Sequence, residues 1–419
     1  MNNLNPAKLL IFSLIIWIAC SIITPYNYFF DDSSLRAIIF LSFSFLAFLI
    51  GCKTNVYNNS AFETVQSLKH INFLFYFSLV TGFFGFLFKL YQRIFIERMM
   101  IYDSFTDFRF GAAEAYYENT IIDVISGIMY PFGIVALLLY IYYGKSININ
   151  KYIVWLIGIT YPIEGILLGG RLNIIFFATM LFFAFQVKNF LINGSLLKLS
   201  IAKILPIIVC LIFFLIYSSN IISTRLDYMG FDFINYLSYL ELQRNVEIDD
   251  GYILFLTRNN FSNFAFITFA FAEIIHYFQV GIIEFIKLYN FNNGDYDYWM
   301  GVHQFSIYLK FFSIIGFENI PSYLDTLSSF HQPGQYTSFI GSALIDFGEY
   351  TPIYMFTLGV FSNKIYNSAL NRGFVGIMIF PFVATVVIYS PMINFLMNQT
   401  LYILTALIII VIMSKVKIK

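Results

Sequence analysis

Long apolar windows separated by short polar segments dominate the pattern of hydrophobic and polar positions along this chain. A window of about 17–25 apolar residues is long enough to cross a bilayer as a helix. By this rule the sequence predicts about ten transmembrane helices, near residues 9–24, 35–51, 71–90, 121–143, 152–169, 172–187, 204–221, 351–367, 373–390 and 400–413. The predicted fold class is an all-α polytopic integral membrane protein, with residues 1–419 forming a single membrane domain.

Composition supports this class and excludes several others. The chain is 59% hydrophobic and only 11% charged, whereas an ordinary soluble domain is about 25% charged. Its formal net charge is zero, so no basic field is expected to attract nucleic acid. The apolar window after Lys8 is interpreted as a first transmembrane helix rather than a signal peptide, because the rest of the chain continues in the same style.

Lysine and arginine in the short loops predict the orientation, because positive segments stay on the cytoplasmic side of a membrane. Both termini are therefore predicted to be cytoplasmic. Loops 91–120 and 222–350 are predicted to be external, and the second of these is the large loop between helices 7 and 8. The predicted cytoplasmic segments hold Lys8, Lys53, Lys69, Lys145, Lys151, Lys188, Lys198, Lys203, Lys364, Arg372, Lys415, Lys417 and Lys419.

The segment 261–288 is the difficult part of this topology. Its first half is apolar, and its second half carries Glu273, His276 and Glu284. As an additional span it would invert every later loop and place Lys364 outside. A segment that is re-entrant or lies on the membrane surface preserves the charge rule, and we expect one of these.

Motifs for nucleotide binding and metal-dependent proteolysis are absent from the sequence, which contains neither G-x-G-x-x-G nor H-E-x-x-H. The cysteines form no C-x-x-C pair, and no disulfide framework is expected. Histidines are too widely separated to suggest a metal cage. We therefore expect neither a cofactor nor a metal site. The four histidines are His70, His276, His303 and His331.

Arginines are concentrated in the segments that are predicted to be external. Arginine offers several planar donors for phosphate oxygens and stays charged when partly desolvated, so these side chains are candidates for binding a pyrophosphate. The alternative is that they are solvated or paired with carboxylates. This alternative is favoured for Arg93 and Arg98, because Glu97, Asp103 and Asp107 lie nearby in the sequence. The candidate pyrophosphate ligands are Arg109, Arg171, Arg225 and Arg258.

Aromatic residues crowd the segment 289–308, together with asparagine and aspartate. Flat ring faces next to amides and carboxylates suit sugars, whose rings have apolar faces and whose hydroxyls need partners. An interfacial aromatic belt is the alternative. The candidate sugar-binding residues are Tyr298 and Trp299 in this segment and Tyr336 further along.

The run 331–349 approaches the membrane with a histidine, small residues and two acids. A carboxyl or imidazole group in a partly dehydrated site can have its pKa moved into the range useful for accepting a proton. His331, Asp346 and Glu349 are therefore the candidate catalytic residues. A helix-end interaction or an ion pair is the alternative for both acids.

Several short motifs of this chain together resemble the O-antigen polymerase family, the oligosaccharide repeat-unit polymerases of Wzy-type polysaccharide pathways. The resemblance covers roughly residues 90–370 and the layout of many spans. It rests on Gly169-Gly170-Arg171, on Ser223-Thr224-Arg225, and on Tyr336-Thr337, Asp346-Phe347-Gly348 and Gly359.

The resemblance implies a reaction on the outer face of the inner membrane, in the synthesis of O-antigen, capsule or a similar polysaccharide. A growing glycan on undecaprenyl pyrophosphate would be transferred to another lipid-linked repeat unit. External arginines would bind the pyrophosphate, the aromatic loop would hold sugars, and an acid or His331 would accept the proton. The implied partners are the lipid-linked oligosaccharide, membrane lipid and a protein that regulates chain length, without nucleic acid.

Other functions remain as alternatives. A flippase for lipid-linked oligosaccharides or another transporter would place charged groups inside spans, and Glu164 beside Pro162 is the clearest acidic candidate. An O-antigen ligase is a second alternative. Ligases typically separate a His-Asn, His-Ser or His-Gln pair from a glycine by nine residues, whereas only eight residues separate His331-Gln332 from Gly341. A non-catalytic membrane scaffold is the third.

Overall fold

The computed structural model describes most of the chain. The described residues are 1–28, 32–54, 67–97, 99, 121–167, 172–196, 212–220, 224, 230, 233–244, 246–258, 263–291, 301–305, 308, 337–397 and 399–415. Most of them lie in helices. Within this part of the chain a single short pair of strands forms the sheet, and the remaining residues form turns and connections.

Fourteen α-helices are bounded within the described residues. They are α1 Pro6–Ile23, α2 Asp32–Lys53, α3 Leu68–Tyr91, α4 Ile121–Met129, α5 Phe132–Tyr143, α6 Lys151–Leu167, α7 Leu172–Asn193, α8 Phe233–Arg244, α9 Asp250–Arg258, α10 Asn263–Phe291, α11 Phe339–Phe347, α12 Thr351–Leu370, α13 Phe374–Tyr389 and α14 Gln399–Met413. Residues 212–220 are also helical. The strands are β1 Tyr26–Tyr28 and β2 Val246–Ile248.

The predicted apolar windows correspond to helices wherever the structure describes them. Six helical stretches are long and apolar enough to cross a membrane: Pro6–Ile23, Ser34–Lys53, Leu68–Ile96, Val124–Ser146, Leu172–Asn193 and Ile267–Asn290. The apolar helices α13 and α14 are shorter. The all-α, multi-pass membrane class is thus confirmed in its coarse form.

The distribution of buried side chains also fits a membrane protein. Helices α5 and α13 are buried on nearly every side. Helix α1 instead exposes large aliphatic and aromatic side chains, including Phe12, Ile15, Ile18 and Ile22. Such a face would be unfavourable in water, where buried apolar area stabilises a fold by roughly 25 cal/mol per Å², but it is what lipid requires.

The window 121–143 is divided into α4 and α5 where Pro131 follows Tyr130. Proline lacks the N–H group that would continue the helical ladder, and its ring clashes with the preceding turn. The two helices therefore meet at a bend next to α3 and α6, and the ring of Tyr130 stacks on the ring of Tyr161 with centroids 5.6 Å apart.

Helices α2 and α12 run in the same direction in close contact, through glycines on both sides. A Cβ atom on Gly51 would lie 2.2 Å from the carbonyl oxygen of Phe356, and a Cβ atom on Gly359 would lie 2.2 Å from that of Phe48. Further along, Asn363 Nδ2 donates to the carbonyl oxygen of Thr54 at 3.3 Å. Small residues let two helix backbones approach in lipid, where packing is a main attraction between them.

The two ends of the helix bundle are distinguished by its contacts. Tyr366 near the end of α12 donates to the carbonyl oxygen of Met1, so the N-terminus and the α12–α13 turn share one end, the tail end. At the opposite end α1 finishes and α2 begins, and there β1 pairs with β2 in antiparallel register, with Tyr26 opposite Ile248. We call this the ribbon end.

A small separate core caps the ribbon end. It is built from α8, α9, the two strands and the first part of α10, and together these form the cap. Its buried apolar residues are Tyr26, Leu237, Val246, Ile248, Leu256, Ala265, Phe269, Ala270 and Ala272. Part of the segment that was predicted as one long external loop is therefore folded into helices.

Helix α10 starts in the cap and ends inside the bundle. The rings of Phe285 and Tyr289 pack on Phe40 of α2, with centroids 6.4 and 5.4 Å away. Phe40 lies eight residues after Asp32, or about 12 Å along α2 from the ribbon end. The second half of α10 is largely buried, and the helix is long and apolar enough to cross a membrane. Whether it is re-entrant or lies on the membrane surface stays a prediction.

Several short segments meet at the depth where α10 ends. The amide of Ser338 donates to the carbonyl oxygen of Gly281 in α10 at 2.9 Å, and the amide of Phe339 donates to that of Ser390 at 2.9 Å. Ser390 directly follows α13. In the last turn of α13 the carbonyl oxygen of Ile388 accepts a hydrogen bond from the hydroxyl of Ser13, which lies ten residues before the end of α1. These segments, 301–305, 337–347 and 390–397, form a layer recessed about 15 Å below the tip of α1, which we call the floor.

The close approach of α2 and α12 generates a stability prediction. Gly51→Ala puts a methyl group where Phe356 has its carbonyl oxygen, so the helices must separate, and we expect the free energy of unfolding to fall by about 1–3 kcal/mol. Thermal unfolding of the detergent-solubilised protein measures this change. Gly144→Ala is the matched control, because its Cβ would meet only the ring of Tyr140 at 3.2 Å. Equal unfolding temperatures for the two variants would contradict the proposed contact.

Candidate functional site

The structure describes three of the predicted site residues: Asp346, Glu349 and Arg258. Asp346 is fully buried in α11, whereas Glu349 in the following 3-10 turn and Arg258 at the end of α9 are exposed. The remaining predictions lie outside the described residues and stay predictions. They are His331, Arg109, Arg171, Arg225, Tyr298, Trp299 and Tyr336.

Both carboxylate oxygens of Asp346 accept hydrogen bonds from the backbone of the segment 301–305. The amide of His303 donates to Oδ1 at 2.8 Å, and the amide of Gln304 donates to Oδ2 at 3.0 Å. Hydrogen bonds to an ionised acceptor are stronger than those between neutral groups. Asp346 therefore holds a turn that starts at Gly301, a residue with a positive φ of 97°.

The carboxyl group of Asp346 is buried, and both of its oxygens accept hydrogen bonds from the turn. A structural role for Asp346 is therefore visible, and its predicted catalytic role stays a prediction.

The side chain of Gln304 continues this polar network into α12. Tyr354 donates its hydroxyl to Gln304 Oε1 at 2.7 Å, and the ring of Tyr354 stacks on Phe347 with centroids 4.4 Å apart. His303 and Gln304 are both buried. The floor thus combines an acid, an imidazole and an amide, and the phenol of Tyr354 in α12 extends this network.

A second buried polar cluster lies at the ribbon end of α3 and α6. Arg93 lies between two carboxylates, with its Nη1 bonded to Glu97 and its Nη2 to Glu164 Oε1 at 2.6 Å. Gln92 Nε2 donates to Glu97 Oε1 at 2.7 Å, and Lys89 donates to Gln92 at 3.1 Å. Two cations and two carboxylates therefore share the cluster, and their formal charges cancel.

The local backbone explains why these side chains share one side of the helix. Residues Gln92–Ile96 form a π-helical turn that follows α3, closed by the amide of Glu97 donating to the carbonyl oxygen of Gln92 at 2.9 Å. A π turn takes in one more residue than an α turn and is frequent at functional sites. It brings Gln92 and Glu97 to the same side as Arg93.

A third cluster joins the ribbon to α10. Tyr26 donates to Glu273 Oε1 at 2.7 Å, and Tyr28 donates to Gln279 Oε1 at 2.9 Å while lying 2.6 Å from His276 Nδ1. The two tyrosines alternate with Asn27, so they occupy one face of the strand.

Sequence reasoning found part of this chemistry. It expected nearby carboxylates, Glu97 among them, to pair with Arg93 or Arg98, and Arg93 does bond to Glu97. It noted Glu164 without a partner. The contacts of Gln304 with Tyr354, and of Tyr28 with His276, were missed because their partners are 50 and 248 residues apart. No local pattern signals such pairs.

Comparison with known proteins adds no relative: no protein-family model matches this chain, and neither a curated protein nor a solved structure is significantly similar to it. The resemblance in sequence motifs stays a prediction.

The two hydrogen bonds that Asp346 accepts predict how replacing this residue changes the protection of the turn 301–305. In Asp346→Asn one acceptor oxygen becomes an amide nitrogen, so one of the two backbone N–H groups loses its partner, at a cost of about 1–3 kcal/mol. We expect faster hydrogen exchange at the amides of His303 and Gln304, measured by mass spectrometry of the 301–305 region. Glu349→Gln, at an exposed acid three residues away, is expected to leave this exchange unchanged. Unaltered protection in Asp346→Asn would contradict the anchoring role.

Proposed function

We propose that this protein is a membrane glycosyltransferase that polymerises lipid-linked oligosaccharide repeat units for O-antigen, capsule or a related bacterial polysaccharide. The glycan on one undecaprenyl pyrophosphate is transferred to the sugar of another lipid-linked unit on the periplasmic face. No nucleotide is required, because the donor carries its own leaving group. The sequence motifs at 169–171, 223–225 and 336–359 support this proposal.

The proposal includes a topology. The protein spans the bacterial inner membrane about ten times with both termini in the cytoplasm, and the ribbon end faces the periplasm. Basic residues of the short loops support this orientation, including Lys145 and Lys151 between α5 and α6 and Arg372 between α12 and α13. A re-entrant α10, which enters from the cap and ends at the level of Phe40, keeps Arg372 on the cytoplasmic side.

The observation that carries the proposal is the concentration of polar chemistry at the ribbon end. The cluster around Arg93 lies at that end, the cap is folded over the ribbon, and the floor around Asp346 lies about 15 Å below the tip of α1. Polar and ionisable groups inside a membrane protein are costly and characteristically functional. A site at this end suits a substrate whose sugars are in the periplasm and whose lipid is in the bilayer.

The transporter alternative is less well supported. Its main feature in the sequence was an unpartnered acid inside a span, and Glu164 is paired with Arg93. Two carboxylates and two cations at one end of the helices form a local network rather than a path across the membrane. We therefore propose the polymerase function rather than the transporter function.

A cell that lacks the gene tests the proposed function. We expect loss of long glycans and accumulation of single repeat units capped onto lipid, because substrate is made and exported but not joined. Gel profiles of membrane glycans measure this outcome, and the wild-type gene on a plasmid should restore long chains. Repeat units trapped on the cytoplasmic face would indicate a flippase, and an unchanged profile would reject both functions.

Arg171→Ala tests the predicted pyrophosphate ligand, since a stable variant that still makes long chains excludes that role.

A further inference from the structure

The charged side chains at the tail end are all cationic, as far as the structure describes that end. Exposed lysines and arginines lie there near the starts and ends of helices, while the described carboxylates belong to the ribbon end, the cap, α10 and the segment 346–349. Along α12 the nearest of these is Glu349, about 30 Å from the α12–α13 turn. Charges so far apart are screened from each other, because the Debye length in physiological salt is about 8 Å. The exposed cations are Lys8, Lys53, Lys69, Lys145, Lys151, Arg372 and Lys415.

Arg372 has a backbone conformation that arginine rarely adopts. Its φ of 60° is the only positive value at a non-glycine position among the described residues, and it lies where α12 ends. The amides of Arg372 and Gly373 donate to the carbonyl oxygens of Ala369 and Ser368 at 3.1 and 2.8 Å. In this kind of helix termination glycine is the usual residue, because an L side chain is strained there and glycine is not. The position therefore keeps a side chain although glycine would fit with less strain.

The guanidinium group of Arg372 is accessible to a partner outside the chain. The side chain is exposed, and within the described residues it takes part in no hydrogen bond or ion pair; the salt bridges found there lie at Arg93 and Lys287. A guanidinium is planar, always charged and suited to the paired oxygens of a phosphate. A strained residue whose exposed side chain has no partner in the protein suggests a role in binding.

The tail-end cations border surfaces that suit lipid. On α2 the exposed side chains of Leu46 and Ile50 are followed by exposed Lys53, at spacings of four and three residues that put all three on one face of the helix. Helix α12 exposes Phe361 ahead of the turn that holds Arg372. An apolar stripe that ends in a long basic side chain matches a phospholipid, whose acyl chains lie in hydrocarbon and whose phosphate lies at its edge.

We propose that the tail end of the helix bundle binds anionic phospholipids, whose phosphates are held by Arg372 at the α12–α13 turn and by Lys53 at the end of α2. The partner is a lipid rather than a soluble anion, because the cations border apolar faces that hydrocarbon must cover. Basic residues at a membrane surface attract lipids with a net negative charge. This inference goes beyond the proposed function and does not depend on it.

Lipid binding to the full-length protein in a neutral detergent tests this surface. The probes are phosphatidylglycerol, which is anionic, and phosphatidylethanolamine with the same acyl chains, which has no net charge. Native mass spectrometry gives the affinity for each lipid, and we expect the wild-type protein to prefer phosphatidylglycerol. For Arg372→Gly we expect the affinity for phosphatidylglycerol to fall about fivefold, the contribution of one basic residue near an anionic lipid surface. The affinity for phosphatidylethanolamine should not change.

The same variant separates lipid binding from folding. Glycine relieves the backbone strain at a φ of 60°, so the unfolding temperature of Arg372→Gly without added lipid should equal or exceed that of the wild-type protein. Added phosphatidylglycerol should then raise this temperature less than it does for the wild type, because a ligand stabilises the folded state more when it binds more tightly. Arg372→Lys keeps the charge and should keep most of the affinity for phosphatidylglycerol.

Arg36→Gln is the matched control. Arg36 is an exposed arginine at the ribbon end of α2, four residues after Asp32. An acid four residues away on a helix offsets its charge, so we expect an affinity for phosphatidylglycerol within about twofold of the wild-type value. Lys53→Gln, at the tail end of the same helix, should instead weaken this affinity about fivefold, as Arg372→Gly does.

The proposal fails if the wild-type protein binds the two lipids equally well, or if Arg372→Gly keeps the wild-type affinity for phosphatidylglycerol. An equal loss in Arg36→Gln would mean that any exposed arginine attracts the lipid, which would overturn a surface specific to the tail end. A lower unfolding temperature of Arg372→Gly without lipid, with an unchanged response to phosphatidylglycerol, would also overturn it. That result would assign the arginine to the C-terminus of α12, where a cation interacts favourably with the helix dipole.

Discussion

The interior of this protein depends on finding partners for polar backbone groups at a depth where the chain is not helical. Within lipid, irregular backbone is tolerated only if protein or enclosed water satisfies it. The floor meets this requirement with its own side chains and carbonyls. Asp346 accepts from two amides of the turn 301–305, and the carbonyl oxygens of Gly281 and Ser390 accept from the first residues of the 338–347 segment. Each bond links segments that are distant in sequence, so together they hold the floor in place.

The need of buried polar groups for partners also explains the arrangement of charges around Arg93. A lone arginine in this setting would be unstable, and Arg93 is stabilised by two carboxylates that lie on different elements. Removing one partner of a buried ion pair destabilises a protein more than forming the pair stabilises it, because the remaining charge is left buried without a partner. The pair therefore ties the π turn after α3 to the last turn of α6.

Hydrophobic windows predicted the helices well, because a segment that crosses lipid must be both apolar and hydrogen-bonded within itself. The windows near 35–51 and 172–187 correspond to Asp32–Lys53 and Leu172–Asn193. Reasoning from the sequence was weakest for α10, where the charge rule favoured an amphipathic segment that is re-entrant or lies on the membrane surface. Its polar residues Glu273 and His276 instead face the tyrosines of the ribbon. Hydropathy measures only how polar a position is, and it carries no information about a distant polar partner.

The sequence by itself determined that this is a helical membrane protein and where most of its long apolar helices lie, and it placed several carboxylates, Glu97 among them, close to Arg93. These properties depend on interactions between near neighbours or between the chain and its solvent. Tertiary structure decided that Glu164 is the second partner of Arg93, that Asp346 binds the backbone of residues 303 and 304, and that α10 ends at the level of Phe40. Those contacts join positions 42 to 249 residues apart, and only packing of the helices brings them together.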